Sequence, residues 1–188
     1  CTSFTFFTDV VMARVIAVAN QKGGVGKTTT AVNLSASFAA AEQPTLLIDI
    51  DPQANASNGL GIKTRDLEKT VYEVLVGTMA VQDAVVPTEM PHLDVLPSHI
   101  NLVGAEIEIV DVKNRERLLA ERINSIRHKY KFIVIDCPPS LGLLTLNALT
   151  AADSILVPVQ CEYFALEGLG KLLNTIKIVQ SRLNKDLE

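Results

Sequence analysis

Lys22-Gly23-Gly24-Val25-Gly26-Lys27-Thr28 is the stretch that decides the fold. Before it runs Arg14–Ala19, short, apolar and β-prone, and after it Thr29–Ala41, rich in Ala, Leu and Ser. The order strand, glycine-rich loop, helix places the glycines where a backbone must wrap closely around an anion. Amide N–H groups then point inward and the helix N-terminus adds positive potential, which suits phosphate oxygens. The motif meets G-x-x-x-x-G-K-[ST] only in a variant form, with a lysine, Lys22, before the glycines. In that geometry Lys27 reaches the β and γ phosphates of a nucleotide and the Thr28 hydroxyl coordinates Mg²⁺. Lys22, Gly23, Gly24, Val25, Gly26, Lys27, Thr28 and Thr29 are therefore the expected nucleotide-binding residues. A flexible turn with a surface lysine is the plain alternative, and the flanking strand and helix count against it.

Outward from the loop, further buried strands are expected at Thr45–Ile50, Leu93–Leu96, Lys131–Asp136 and Ser154–Pro158. Their nearly continuous apolar runs mean that both faces of the sheet are covered. Helical segments are expected at Val71–Gly77, Leu102–Val110, Asn114–Lys129, Leu141–Leu149 and Leu166–Leu183. Strands alternating with helices at this spacing predict an α/β three-layer sandwich with a mostly parallel sheet and right-handed crossovers. Polar residues gather at the strand C-termini, where open α/β sheets bind ligands. Residues 12–188 read as one domain that is truncated at its C-terminal end, because Lys185–Glu188 looks like the loop feeding one more strand. Residues 1–11 lack a clear period and read as a poorly ordered or artefactual extension before Met12.

Composition narrows the function classes. With 188 residues, 48% hydrophobic and 20% charged, the chain can bury a sizeable core. A formal net charge of −4 excludes a protein coated in positive charge, so nucleic acid would have to meet a local basic patch. The three cysteines, Cys1, Cys137 and Cys161, form no Cys-x-x-Cys pair, which favours a reducing cytoplasm over a disulfide scaffold or a zinc site. No apolar run reaches the roughly 18 residues that span a bilayer, so no membrane partner is expected.

Several stretches together carry a family resemblance. Lys22–Thr28 is similar to the deviant Walker A motif of the ParA/MinD superfamily of P-loop NTPases. Asp49-Ile50-Asp51-Pro52-Gln53-Ala54-Asn55, Gly104–Glu108, Ile135–Gly142 and Gln160–Gly168 resemble partition ATPases of the Soj type. The resemblance runs from Met12 to the chain end. It implies a cytoplasmic, nucleoid-associated ATPase with ATP and Mg²⁺ as cofactors. It implies also a homodimer in the ATP state that binds non-specific DNA, and a ParB-type DNA-bound partner that stimulates slow hydrolysis in chromosome or plasmid segregation. Lys22 would be the lysine that reaches the partner subunit's phosphates, a cation supplied in trans where charge develops. Asp51 would stand near the attacking water, and Asp49 would share that role or support Mg²⁺, although both are also good turn-formers before Pro52. Asp136 resembles the Walker B aspartate that holds Mg²⁺; a carboxylate closing an apolar strand is costly to bury without a cation or donors. Lys22, Lys27, Asp51 and Asp136 make up the expected catalytic set, and Thr28, Asp136 and Asp49 the expected metal set.

Two further features complete the reading. Cys137 is expected to be a small packed residue, since no base or second thiol accompanies it. Lys113–Lys131 holds seven basic residues against two acidic ones, and a solvated face is favoured there over a DNA backbone contact. The alternative function on the same fold is a MinD-like membrane-associated regulator of division-site placement. An iron–sulfur carrier would need paired cysteine ligands, against which the cysteine count argues.

Overall fold

The computed structural model describes residues 12–161 and 165–188, so the expectation for residues 1–11, Cys1 and part of Gln160–Gly168 lie outside the described residues. Six strands, β1 (Arg14–Val18), β2 (Thr45–Asp49), β3 (Val86–Pro87), β4 (Leu93–Leu96), β5 (Phe132–Asp136) and β6 (Ser154–Leu156), form one sheet in the order β3-β4-β2-β5-β1-β6. All neighbours are parallel except the β3–β4 pair. The helices are α1 (Lys27–Ala40), α2 (Asn55–Gly59), α3 (Val71–Val76), α4 (Val81–Ala84), α5 (Leu102–Glu108), α6 (Leu118–Asn124), α7 (Leu143–Ala151) and α8 (Ala165–Arg182).

Alternation along the strands sorts the core into two layers. Leu46 and Ile48 of β2 with Ile133 and Ile135 of β5 face a cluster that takes in Val74 of α3, Leu102 of α5, Leu119 of α6 and Ala148 of α7. Leu47 and Val134 face the other way, onto Ala31 and Ala39 of α1. Small residues at four-residue spacing, Ala31, Ser35 and Ala39, let α1 lie close on the sheet, and Phe38 stacks on Phe132 with ring centroids 3.9 Å apart. The three layers expected from the strand–helix alternation are therefore present.

Local departures have physical causes. The segment expected as one helix over Asn114–Lys129 keeps only α6 as α-helix, flanked by 3₁₀ turns at Arg115–Arg117 and Arg127–Lys129. Asn114 sits at φ 59 in the left-handed region, and no local side chain caps α6. Instead Asn147 of α7 accepts a hydrogen bond from the Leu119 amide at 3.0 Å, a cap supplied from another element. β6 ends at Leu156 instead of Pro158, a residue without an N–H for a ladder. The proline-bearing β3 is an antiparallel edge strand, where proline is tolerated. At the outer edge of β6, Ile155 donates to the Glu188 carbonyl (2.9 Å) and the Glu188 amide donates to Asp153 (3.1 Å). Lys185–Glu188 thus leads the chain onto that edge.

Candidate active site

The parallel register brings three strand ends to one edge of the sheet. Val18 of β1 lies beside Asp136 of β5, and Asp136 beside Asp49 of β2. The glycine loop leaves β1 just there, which is why residues more than a hundred positions apart in sequence share one site.

Helix α1 begins at Lys27, inside the motif. Its N-cap, Gly26, adopts φ 90, and among the described residues no side chain caps the helix. The first amides are thus left to an external acceptor. Gly24 also has a positive φ, 73. A Cβ on Gly24 or Gly26 would meet no atom within 4 Å, so glycine answers there to backbone conformation and ligand approach rather than to crowding. An open cleft of about 360 Å³ follows, lined by Gly23, Gly24, Gly26, Lys27, Thr28, Thr29, Asp51, Gln53, Asn55 and Pro139. Of the sequence-derived nucleotide residues, Val25 is buried behind the loop and Lys22 is half-buried at its base.

Lys27 is 7% exposed, and its Nζ donates to the Lys22 carbonyl at 3.0 Å. Burial lowers its pKa, while the charges of Asp136 and Asp51 act in the opposite direction. An ammonium held this dry gains strongly from an arriving phosphate. The loop is braced from behind: the Asn20 side chain accepts from the Lys22 amide (3.0 Å) and donates to the Pro158 carbonyl (2.7 Å). Gln160 donates to the Gly24 carbonyl at 3.2 Å.

The three aspartates stand in different environments. Asp51 lines the cleft and accepts from the Gln53 amide at 2.9 Å. Asp49 is fully buried; it accepts from the Ser57 amide (2.8 Å), the Ser57 hydroxyl (2.7 Å) and the Asp51 amide (3.1 Å). Burial raises its pKa to about 6 even though these donors pull it down. Asp136 is equally buried, yet neither of its oxygens has a hydrogen-bond partner of good geometry. Burial pushes it up to about 7, with Asp49 and Asp51 adding to the rise and the Thr28 hydroxyl and Lys27 opposing it. A buried acceptor without donors, next to a hydroxyl and a phosphate cradle, fits a hydrated Mg²⁺, whose water shell would supply the missing partners. Among the described residues no group of three or more His, Cys, Asp or Glu is arranged to hold a metal ion.

Cys137 is 1% exposed, and burial raises its thiol pKa, as expected of a packed residue. The basic segment divides. Arg127 donates to Asp153 (2.8 Å) and to the Ala13 carbonyl (2.7 Å), Arg117 to the Leu183 carbonyl and Arg115 to the Val110 carbonyl. Lys113, Arg122, Lys129 and Lys131 are exposed, as is Arg117 despite its bond. The sequence alone assigns no role to Gln53, Asn55, Pro139, Asn20 or Ser57. Gln53 and Asn55 stand in a polar run directly after a strand, which was the available signal.

A family model described as an AAA domain matches residues 13–188. The chain is 55% identical over 176 residues to the sporulation initiation inhibitor protein Soj of Bacillus subtilis, covering 94% of this chain and 70% of that protein. It is 54% identical over 177 residues to the chromosome partitioning protein ParA of Myxococcus xanthus, covering 94% of this chain and 62% of the relative. The chain thus spans between about three fifths and seven tenths of these relatives' length. A crystal structure from Mycobacterium smegmatis, named cobyrinic acid a,c-diamide synthase and holding ADP and magnesium, superposes with TM-score 0.91 at 43% identity, over 94% of this chain and 71% of that one. A plasmid partition protein from Borrelia burgdorferi superposes with TM-score 0.83 at 28% identity, over 94% and 76%.

Proposed function

This chain belongs to the ParA/Soj family of P-loop ATPases, and from that premise we propose that it works in DNA segregation as a switch set by Mg·ATP. In the ATP state two copies close into a nucleotide-sandwich dimer that binds DNA without sequence preference. A ParB-type DNA-bound partner stimulates slow hydrolysis, which releases the dimer. The setting is the cytoplasm, on the nucleoid. One observation supports the nucleotide half above all: Lys27, Thr28 and Asp51 converge on one cleft at an uncapped helix N-terminus, with the unpartnered carboxylate of Asp136 buried beneath.

The residues divide the work. The loop amides and Lys27 hold the β and γ phosphates in place, which supplies positioning and charge stabilisation, the main needs of phosphoryl transfer. Thr28 and Asp136 hold Mg²⁺, which neutralises charge on the phosphate oxygens when bound. Asp51 orients the attacking water from the cleft wall. Lys22 of each copy reaches the other's phosphates, so that closure and catalysis are coupled through one cation. The relation of sequence to switch is direct: the extra lysine stands at the loop's first position, where it can serve a neighbour.

The test is retention of the full-length protein on non-specific DNA with Mg·ATP, with Mg·ADP, and as Lys22→Ala in Mg·ATP. Retention with ATP alone, lost in Lys22→Ala, is the expected result. A protein that binds ATP yet stays off DNA in every state would overturn the segregation reading and turn attention to liposomes, the surface of the MinD-like alternative. Among the described residues no helix is long and apolar enough to cross a membrane.

A further inference from the structure

Asp49 and Asp136 end neighbouring parallel strands at the same level of the sheet, and both are fully buried. Their surroundings differ in kind. Among the described residues Asp136 makes no hydrogen bond of good geometry, with only the Thr28 hydroxyl noted beside it, whereas Asp49 accepts three, all from the segment that follows it. One Asp49 oxygen accepts from the Asp51 amide; the other accepts both the amide and the hydroxyl of Ser57. The Ser57 hydroxyl oxygen in turn accepts from the Ser98 amide at 3.0 Å, just beyond β4. The ends of β2 and β4 and the start of α2 are thereby tied at one buried point.

The segment so held is the one that carries Asp51, Gln53 and Asn55 into the cleft. It includes Ala54 at φ 53, a left-handed conformation that a residue with a side chain rarely adopts unless its surroundings fix it. An ionised carboxylate accepts hydrogen bonds only, so it suits three converging donors, and each bond it accepts is charge-assisted. An amide in its place would aim an N–H at one of those donors.

We infer that Asp49 is a positioning residue, not a metal ligand: through Ser57 and the Asp51 amide it fixes the Asp51–Ser57 segment so that Asp51 stands at the phosphate site. The inference rests on the reading of Asp51 as the residue that orients water. Ser57 belongs to the same device, and the adjacent carboxylates divide their labour, Asp136 toward the ion and Asp49 toward the loop.

The experiment compares wild type, Asp49→Asn, Ser57→Ala and Asp51→Ala in the full-length protein. It measures single-turnover ATP hydrolysis, KM for ATP, affinity for a fluorescent ATP analogue, and the Mg²⁺ concentration giving half-maximal rate. Asp49→Asn and Ser57→Ala are each expected to lower kcat by about 10- to 100-fold, the scale of a misplaced catalytic group. KM, analogue affinity and Mg²⁺ requirement should stay within about two-fold, and a variant carrying both Asp49→Asn and Ser57→Ala should lose less in kcat than the product of the two single losses. If Asp49→Asn raises the Mg²⁺ requirement about tenfold or more while Ser57→Ala hydrolyses normally, Asp49 is a metal ligand and the inference is wrong. If both variants keep wild-type kcat while Asp51→Ala loses it, the positioning role alone fails. Wild-type hydrolysis in Asp51→Ala would remove the reading of Asp51 and this inference with it. Should Asp49→Asn not fold, Ser57→Ala, which is neutral and one atom smaller, carries the same test.

Discussion

Replacing Asp136 by Asn should make the nucleotide-free protein more stable, and more so as the pH rises. The carboxyl is lifted by burial from 3.8 to about 7 in the fold. A carboxylate raised in this way binds its proton more tightly in the folded than in the unfolded state. Its contribution to stability is thus complete below about pH 4 and is lost as pH climbs through about 7. Three pKa units at about 1.4 kcal/mol each set a ceiling of about 4 kcal/mol at neutral to alkaline pH. At about pH 5 the same arithmetic leaves about 1.7 kcal/mol, because the unfolded chain alone is then ionised. Asn carries no titratable proton, so its advantage over Asp should grow by about 2 to 3 kcal/mol between about pH 5 and about pH 8. Any fixed cost of burying the amide cancels in that comparison. At about 2–4 °C per kcal/mol for a domain of this size, the gap in melting temperature should widen by about 4 to 12 °C. Mg·ATP, which relieves the carboxylate in wild type, should raise the variant's melting temperature far less. A melting-temperature gap that stays constant or narrows with pH would refute the assignment of Asp136 as a buried, unpartnered charge awaiting a cation.

Two other outcomes test the frame around the site. Gly26→Ala places a side chain at φ 90 in open space, so it should destabilise by about 1–2 kcal/mol through conformation alone; ATP affinity measured by analogue binding should fall along with melting temperature. Arg127→Ala cuts bonds to Asp153 and the Ala13 carbonyl that join the starts of β1 and β6. It should cost about 2 kcal/mol in urea denaturation while leaving ATP affinity unchanged, because the clamp lies at the end of the sheet opposite the cleft.

Local chemistry was readable from the sequence because it is written in adjacent residues. A glycine run needing positive φ, a lysine and a threonine at fixed offsets, a strand before and a helix after all fall within a short window around Gly26. Strand positions were equally legible, since Leu46–Ile48 and Ile133–Ile135 are apolar on both faces and only a covered parallel sheet can use such runs. Short elements escaped: α2 follows a left-handed Ala54 that no pattern announces, and β3 exists only because β4 offers it an edge.

What the sequence by itself determined, then, is a phosphate-binding loop on a parallel α/β sheet, and the identity of the residues able to serve it. It left Asp49 and Asp51 both able to orient water or support a metal, because two aspartates separated by one residue look alike on a string. It could not tell that Arg115, Arg117 and Arg127 of the basic run are tied to carbonyls and a carboxylate. Tertiary structure decided the surroundings of each side chain, for a physical reason: which donors reach a carboxylate depends on how distant segments pack. Asp49 meets Ser57, eight residues on, and Asp136 makes no hydrogen bond of good geometry among the described residues, though it lies beside Asp49 in the sheet and 87 positions away in the chain.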